Sequence, residues 1–457
     1  MRKSRKRVVG ISAAALAATG GLLITSLSAP TASAEVAAPG DNPYAGSQLY
    51  VNPDWSAAAT EGGGAAIADT PTAVWLDSIG SITGGSAGSN TMGLKEHLDT
   101  ALEQGADAIQ IVTYNLPGRD CAALASNGEL GPEEIDRYKS EFIDPIDAIL
   151  DDPAYENLKI INVVEIDSLP NLITNVGSRE TATPECDVML QNGNYVKGVG
   201  YNLATLGDNG NVYNYIDIGH HGWIGWDDNF QATADLLYEA ANTEGATPED
   251  VTGFAANTAN YGATEEPYFS IDDVAGDGPI REGHSKWVDW NRYVDELTFS
   301  QAFVTKAATS AGFPSGMGVI IDTSRNGWGG ADRPTGPGDI SGPGEEYVND
   351  SRTDRRIHLG NWCNQSGAGL GARPTASPAP NIHAYAWIKP PGESDGSSEE
   401  IPNDEGKGFD RMCDPTYEGN PRNQNNMSGA LGGAPLSGHW FQAQFEELLA
   451  NANPPVN

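Results

Sequence analysis

Acidic side chains recur in this sequence just beyond short apolar runs. Asp77 follows 73–76, Asp120 lies six residues after the Tyr114 that closes 108–114, Asp167 follows 159–165, and Asp217 sits near the end of 212–218. Asp322 caps 318–321, and Glu393 and Asp395 follow 384–389. Carboxylates gathered at one place do acid–base chemistry, because burial and like charge raise the pKa of one member and leave it a proton to donate near neutral pH. The same positions also suit carboxylates that only cap the following helix, so spacing alone leaves both readings open. Tryptophan tips the balance: Trp75, Trp223, Trp226, Trp328, Trp362 and Trp387 lie on or just past the same runs. An indole beside carboxylates offers a sugar ring a stacking face and its hydroxyls a set of acceptors, whereas an indole in a core offers only apolar area. Trp223 and Trp226 are the better platform candidates, because the stretch 220–226 (HHGWIGW) is polar and broken by glycine, unlike a buried strand.

Other patterns carry less. His220 and His221 lie near Asp217, but neighbouring residues on an extended chain point opposite ways and the HExxH spacing is absent, so no metal is expected and His220 reads as a hydrogen-bonding residue. The glycine-rich stretch 80–93 lacks both the GKS/T ending and the GxGxxG pattern of a phosphate cradle. Within it, 84–88 spells GxSxG around Ser86, but a nucleophile elbow needs a strand running straight into the serine, and a polar Gly/Ser loop precedes this one. The EF-hand register is missing too, so the acidity does not amount to a calcium loop.

The elements that must position these groups alternate. Each apolar run reads as a short strand followed by an acid-bearing loop and an amphipathic helix. Such alternation gives a parallel sheet with right-handed crossovers, open or closed into a barrel. In a barrel the residues beyond the strand ends collect on the C-terminal rim, where active sites are built. Between the second and third strands, Tyr138, Phe142, Ile146 and Leu150 recur at helical spacing, and Pro145 is expected to kink or restart that helix.

The chain has 457 residues, with 26 Lys+Arg against 62 Asp+Glu and a formal net charge of −36. That balance argues against nucleic acid, whose phosphates are bound through Lys and Arg, and against an anionic membrane surface. A basic head at residues 2–7, an apolar run over 8–27 and Ala32-Ser33-Ala34 read as a secretory signal peptide over 1–34. No later run approaches the roughly 18 apolar residues that span a bilayer. The mature protein is therefore expected to be secreted, extracellular and free of membrane, with a tail over 35–47 and a single barrel domain over 48–457. Export favours two disulfides among Cys121, Cys186, Cys363 and Cys413. Of the three connectivities, Cys121 with Cys186 and Cys363 with Cys413 is the favoured one.

Several long segments, in order along nearly the whole mature chain, resemble glycoside hydrolase family 6, the inverting cellulases. They are 114–129 (YNLPGRDCAALASNGE), 163–170 (VVEIDSLP), 215–226 (YIDIGHHGWIGW), 322–327 (DTSRNG), 361–364 (NWCN) and 387–396 (WIKPPGESDG). The cysteine positions agree with that family's two disulfides. The resemblance implies an α/β fold, a distorted TIM-like barrel with about seven parallel strands and long rim loops forming a tunnel. It also implies hydrolysis of β-1,4-glucosidic bonds in cellulose and cello-oligosaccharides without metal or organic cofactor, by a monomer.

Residue by residue, Asp167 matches the general acid and Asp120 the carboxylate that keeps it protonated. Tyr114 matches the tyrosine that distorts the reacting sugar, Ser126 the serine that holds the catalytic water, and Asp395 the carboxylate most often proposed as base, a task a water chain ending at Asp120 would also fill. Inverting geometry separates acid from base by about 6.5–9.5 Å. Trp75, Asp77, His220, Trp223, Asn260, Trp362, Lys389 and Glu393 match sugar-contacting positions, and Asp217 and Trp226 join the substrate-binding set from their place on the rim. Two departures stand out: Ile166 replaces a proline before the acid, and His383 stands where an acidic residue commonly precedes the last strand, which points to an altered rim near the base.

The polar segments 262–294 and 331–359 resemble insertions that roof the tunnel of the family's cellobiohydrolases, which release cellobiose from non-reducing ends, and no separate carbohydrate-binding module is evident. An open-cleft endoglucanase of the same family and a non-catalytic secreted glycan-binding protein are the alternatives.

Overall fold

The computed structural model describes residues 41–84 and 91–456. The expected signal segment, the tail as far as residue 40, and Ser86 lie outside the described residues. Eight strands form the main sheet, in the order β1 (Val74–Leu76), β2 (Ala108–Thr113), β3 (Lys159–Val164), β4 (Val212–Asp217), β5 (Gly253–Ala256), β8 (Gly318–Asp322), β10 (Ile382–Ala386) and β9 (Thr375–Ala379). Two short strands, β6 (Val274–Ala275) and β7 (Gly278–Pro279), pair separately. All neighbours in the main sheet are parallel except β9, which runs antiparallel along β10, so seven strands make the parallel part. The sheet curls until Thr72, just before β1, bridges Trp387, just after β10, and the Ala73 N–H donates to the Trp387 carbonyl at 3.2 Å. This is the distorted α/β barrel that the resemblance implies.

Alternation along the strands sorts their side chains into two cores. Ile109, Ile111, Ile160 and Val164 face outward onto the helices, while Val112, Ile161, Val163, Tyr215 and Ile320 fill the interior. Each strand read from sequence agrees to within one residue except the last, which starts at Ile382 and stops at Ala386, leaving 387–389 to the rim. β5 was not legible, since Gly253-Phe-Ala-Ala is short and poor in β-branched residues; pairing with β4 and β8 makes it a strand. The helix around Pro145 runs as Ile135–Arg137, a wider π turn over Tyr138–Ile143, and Asp144–Leu150 with the proline in its first turn. The missing proline N–H accounts for that restart.

Both favoured disulfides form, Cys121–Cys186 and Cys363–Cys413. The segments 262–294 and 331–359 pack on one another: Phe269, Ile280 and Trp287 bury with Tyr347, Val348 and Leu359, and Trp226 rests against this cluster. Buried Glu266 joins them further, accepting from the backbone N–H groups of Thr353 (2.6 Å) and Asp354 (3.0 Å). No helix among the described residues is long and apolar enough to cross a membrane.

Candidate active site

A cavity of about 430 Å³ opens where the parallel strands end, lined by Trp75 of β1, Tyr114 and Asp120 after β2, Asp167 after β3, His220 and Trp223 after β4, and Lys389 and Asp395 after β10. Ser126, Trp226, Asn260 and Trp362 also line it.

Asp167 is placed by a tight turn. The β3 ladder ends where the Glu165 N–H donates to the Thr113 carbonyl (2.9 Å), and Glu165 and Asp167 both adopt left-handed backbone, φ 47° and 53°. Non-glycine residues rarely hold that conformation, and such strain gathers at functional sites. Here it is held by Ser168 Oγ donating to the Glu165 carbonyl (2.5 Å), Asn171 Nδ2 donating to the Asp167 carbonyl (2.6 Å) and the Asp167 N–H donating to Asp217 Oδ2 (3.2 Å). Among the described residues no hydrogen-bond donor sits on the Asp167 carboxyl itself. Desolvation first, then the charges of Asp120, Asp217 and Asp395, push its pKa well above the usual carboxylate range, with Lys389 opposing. Ile166, standing where the resemblance has proline, lines the cavity between the two strained residues and removes no reacting group.

Asp120 is buried and also left-handed, φ 51°, and Ser126 Oγ donates a short hydrogen bond to its Oδ2. Burial raises its pKa to about 6, and the Ser126 bond, Arg119 and Arg422 hold it from rising further. Arg119, buried beside it, donates to the carbonyls of Tyr114 (2.5 Å), Asp77 (2.6 Å), Ser126 (2.8 Å) and Asn127 (3.0 Å), and its guanidinium lies 4.2 Å over the Tyr114 ring. One side chain thus fixes the tyrosine, the serine and the loop bearing Asp120. Sequence reasoning named Arg119 only as a motif letter; its place next to an acid on a strand-end loop was the available signal.

Asp395 differs. Arg325 Nη1 lies 2.8 and 2.9 Å from its two oxygens, and Tyr261 Oη (2.7 Å) and the Asn364 N–H (2.8 Å) donate to Oδ2. Arg325 stands in the sequence reading only as a letter of 322–327 and Tyr261 not at all, because both come from loops far along the chain from Asp395. Lys389 lies 4.9 Å over the Trp75 ring, and burial lowers its pKa. The indoles are oriented through their N–H groups: Trp75 to the Ile388 carbonyl (3.0 Å), Trp223 to Thr174 Oγ1 (2.7 Å) and Trp226 to Asp289 Oδ2 (3.3 Å). Burial first, then the Arg356 charge, depress the His220 pKa well below its ordinary value, so the ring is neutral.

Three expected contact residues stand outside the cavity lining. Asp217 is buried behind Asp167, Asp77 lies 3.8 Å from Lys407 Nζ, and Glu393 is buried beside Lys389. Trp328 and Trp387 pack with Trp55, Leu370 and Phe445 in an apolar cluster, so they are core residues rather than platforms. His383 is not at the rim: it lies near the start of β10, where Nδ1 meets Tyr215 Oη at 2.7 Å and burial lowers its pKa to about 4. His220, His221 and Glu296 place potential ligand atoms within 4.8 Å of one another, since the chain turns from β4 into a helical turn at His221 instead of staying extended. There His221 Nδ1 pairs with Glu296 Oε1 at 2.6 Å.

Part of the cavity lining also comes from unexpected segments. Among the lining residues, 262–294 contributes none and 331–359 only His358. Instead Arg179, Glu180 and Thr181 face Pro421, Arg422 and Gln424, and Arg422 Nη2 donates to the Thr181 carbonyl (3.3 Å) while Asn423 Nδ2 donates to Asn361 Oδ1 (2.9 Å). The two long segments brace the wall bearing Trp226, because their apolar residues find each other.

Fold and cavity together define a (β/α) barrel whose acidic, indole-lined cleft suits a glycan. The chain belongs to Glycosyl hydrolases family 6, whose family model matches residues 44–452. It is 46% identical over 440 residues to exoglucanase A of Cellulomonas fimi, covering 91% of this chain and 49% of that protein, so it spans about half the length of that relative. With the 1,4-β-D-glucan cellobiohydrolase CEL6C of Podospora anserina it shares 34% identity, over 88% of this chain and 83% of the relative. Among solved structures, the catalytic domain of Cellulomonas fimi Cel6B superposes with a TM-score of 0.84 at 45% identity, covering 91% of this chain and 96% of that one. Cellobiohydrolase II (Cel6A) of Humicola insolens, in complex with glucose and cellotetraose, gives 0.68 at 29% identity over 91% and 100%.

Proposed function

We propose that this chain is a secreted, monomeric, inverting 1,4-β-glucan cellobiohydrolase, releasing cellobiose from the non-reducing ends of cellulose and cello-oligosaccharides, with a catalytic domain that begins before residue 48, since Tyr44 packs inside the barrel. The observation that carries the reading is Asp167: a carboxyl without hydrogen-bond donors among the described residues, beside three other carboxylates, in a cavity walled by indoles. Such a group keeps its proton near neutral pH and delivers it to the departing glycosidic oxygen. Water attacks from the opposite face of the sugar, and its proton leaves toward Asp120 through Ser126 or a bridging water. Asp120 suits that task because a base works best with a pKa near the working pH, and its own sits at about 6. Asp395 has both oxygens engaged by Arg325, Tyr261 and Asn364, so its role here is to stabilise and orient. Tyr114 presses on the reacting sugar, while Trp75, Trp223, Trp226 and Trp362 supply stacking faces. The Arg422 contact across to Thr181 favours entry by chain ends over an open cleft.

Proton NMR of freshly cleaved cellohexaose tests the stereochemistry: the α-anomer is expected first, and an initial β-anomer overturns inversion. Product analysis tests directionality. Cellobiose with little loss of carboxymethylcellulose viscosity is expected, and rapid viscosity loss points to an endoglucanase. No soluble sugar from swollen cellulose would leave only the glycan-binding alternative.

A further inference from the structure

Glu165 sits two residues before Asp167, is 1% exposed, and has no place in the steps above. Its surroundings are fully specified. The backbone N–H groups of Asn115 (3.1 Å) and Leu116 (3.2 Å) both donate to its Oε2, and Tyr138 Oη donates to its Oε1 (2.8 Å). The two N–H groups are consecutive and directly follow Tyr114. Leu116 then opens the turn that carries Asp120, with the Arg119 N–H donating back to the Leu116 carbonyl (3.1 Å). On its own side, Glu165 is tied to β2 by its N–H to Thr113 and to the Asp167 turn by the Ser168 hydroxyl on its carbonyl. The left-handed backbone at Glu165 ends β3 and begins the turn to Asp167. One carboxylate therefore grips the arm bearing Tyr114 and Asp120 while its own backbone begins the turn bearing Asp167.

We propose that Glu165 is a positioning residue that sets the separation of Asp120 from Asp167 by clamping the N–H groups of Asn115 and Leu116. The inference rests on the reading of Asp167 as the acid. A shift of about 1 Å at such a site costs on the order of 100-fold in rate, and the clamp needs the full length of the glutamate side chain. It does not need the charge, since a glutamine oxygen in the Oε2 place accepts the same two N–H groups; its NH₂ then meets Tyr138 Oη, which already accepts from Asn202 Nδ2 (3.3 Å), so the tyrosine hydrogen loses its acceptor and the cost falls on Tm, not on reach. Burial pushes the Glu165 pKa up to about 7, with the Tyr138 bond and the Asn115 and Leu116 N–H groups opposing, as does the Arg119 charge.

Three variants separate reach from charge and from folding: Glu165→Gln, Glu165→Asp and Glu165→Ala, assayed on cellohexaose well below each Tm. Glu165→Asp and Glu165→Ala are expected to lose about 100-fold in kcat with KM changed less than threefold, while Glu165→Gln stays within about threefold of wild type. In Glu165→Asp the alkaline limb of the kcat profile is expected to move to lower pH, because Asp167 loses part of the field of Asp120; Asp217, Asp395 and Lys389, which also face it, are untouched. If Glu165→Ala does not fold, Glu165→Asp against Glu165→Gln still decides. Wild-type kcat in Glu165→Asp overturns the clamp, as does Glu165→Gln falling as far as Glu165→Asp, or a loss of Tm in Glu165→Asp with no change in its kcat or limb. Asp167→Asn run alongside keeps the two readings apart: if it stays active the acid assignment fails, and if it is inactive while Glu165→Asp is normal only the clamp fails.

Discussion

The ends of β3 and β8 each present an aspartate, Asp167 and Asp322, and the chain treats them in opposite ways. Asp322 is buried, and four backbone N–H groups point at it: Ser324 (3.0 Å) and Ile388 (3.3 Å) on Oδ1, Ala259 (3.0 Å) and Lys389 (3.0 Å) on Oδ2. It pins the loops after β5, β8 and β10 into one rim. Asp167 keeps part of its surface open to the cavity and, among the described residues, receives no donor, only the charges of other carboxylates and the opposing charge of Lys389. Burial raises both pKa values, but at Asp322 the N–H groups oppose it. Position at a strand end thus does not define a catalytic acid. The supply of donors separates the two: at Asp322 four N–H groups favour the anion against burial and staple backbone, while at Asp167 burial and neighbouring charge favour the proton it can give away.

Exchanging the proton donor tests this most strongly. Asp167→Asn is expected to lower kcat by about 10²–10⁴-fold while leaving binding of cello-oligosaccharides measurable by calorimetry. Stability should move the other way. A carboxyl whose pKa is raised by folding holds more proton in the folded than in the unfolded chain between those two pKa values, so wild-type stability falls as pH rises through that window. The asparagine variant lacks this loss and should gain Tm over wild type on its alkaline side. A variant that keeps activity, or shows no gain in Tm, breaks the contrast.

At the other strand end the expected loss is in the fold. Asp322→Ala leaves buried N–H groups unpaired, at roughly 1–3 kcal/mol for each that finds no other acceptor. Chemical denaturation should register a loss of about 3 kcal/mol or more, with activity falling only as the rim loosens. An unchanged midpoint would mean that water or a neighbour replaces the carboxylate, and the staple would lose its meaning.

The same contrast explains what could be read from the sequence. Strands declare themselves through local apolar runs, and a motif such as 114–129 fixes Tyr114, Asp120 and Ser126 together. Of the donors on Asp322, by contrast, only Ser324 is local; Ala259, Ile388 and Lys389 lie more than sixty residues away on either side. No local pattern distinguishes it from Asp167. Tryptophans suffer likewise: Trp387 lies at a strand end like Trp75, but Phe445 and Leu448 of the last helix, Gln442–Ala450, belong to the apolar cluster that buries it. Segments 262–294 and 331–359 look like roof because they are long and polar on average; their few large apolar residues pair with each other, and 179–181 and 421–424 line the cavity instead.

The smallest expected effect sharpens the contrast within the acid pair itself. Asp120 must be an anion both to keep Asp167 protonated and to take the proton from water, so activity should rise with pH through its pKa of about 6. The Ser126 hydroxyl favours that anion. Ser126→Ala removes one donor and makes Asp120 more like Asp167, so the acidic limb of the kcat profile should move to higher pH. Loss of the serine's hold on water lowers the plateau as well, by about tenfold if one neutral hydrogen bond worth roughly 1.5 kcal/mol is lost from the transition state. The two effects separate in a pH series: the limb reports on the Asp120 anion and the plateau on the water. A limb that stays in place while the plateau falls would confine Ser126 to holding water, and the proton inventory of the pair would then rest on burial and the neighbouring charges.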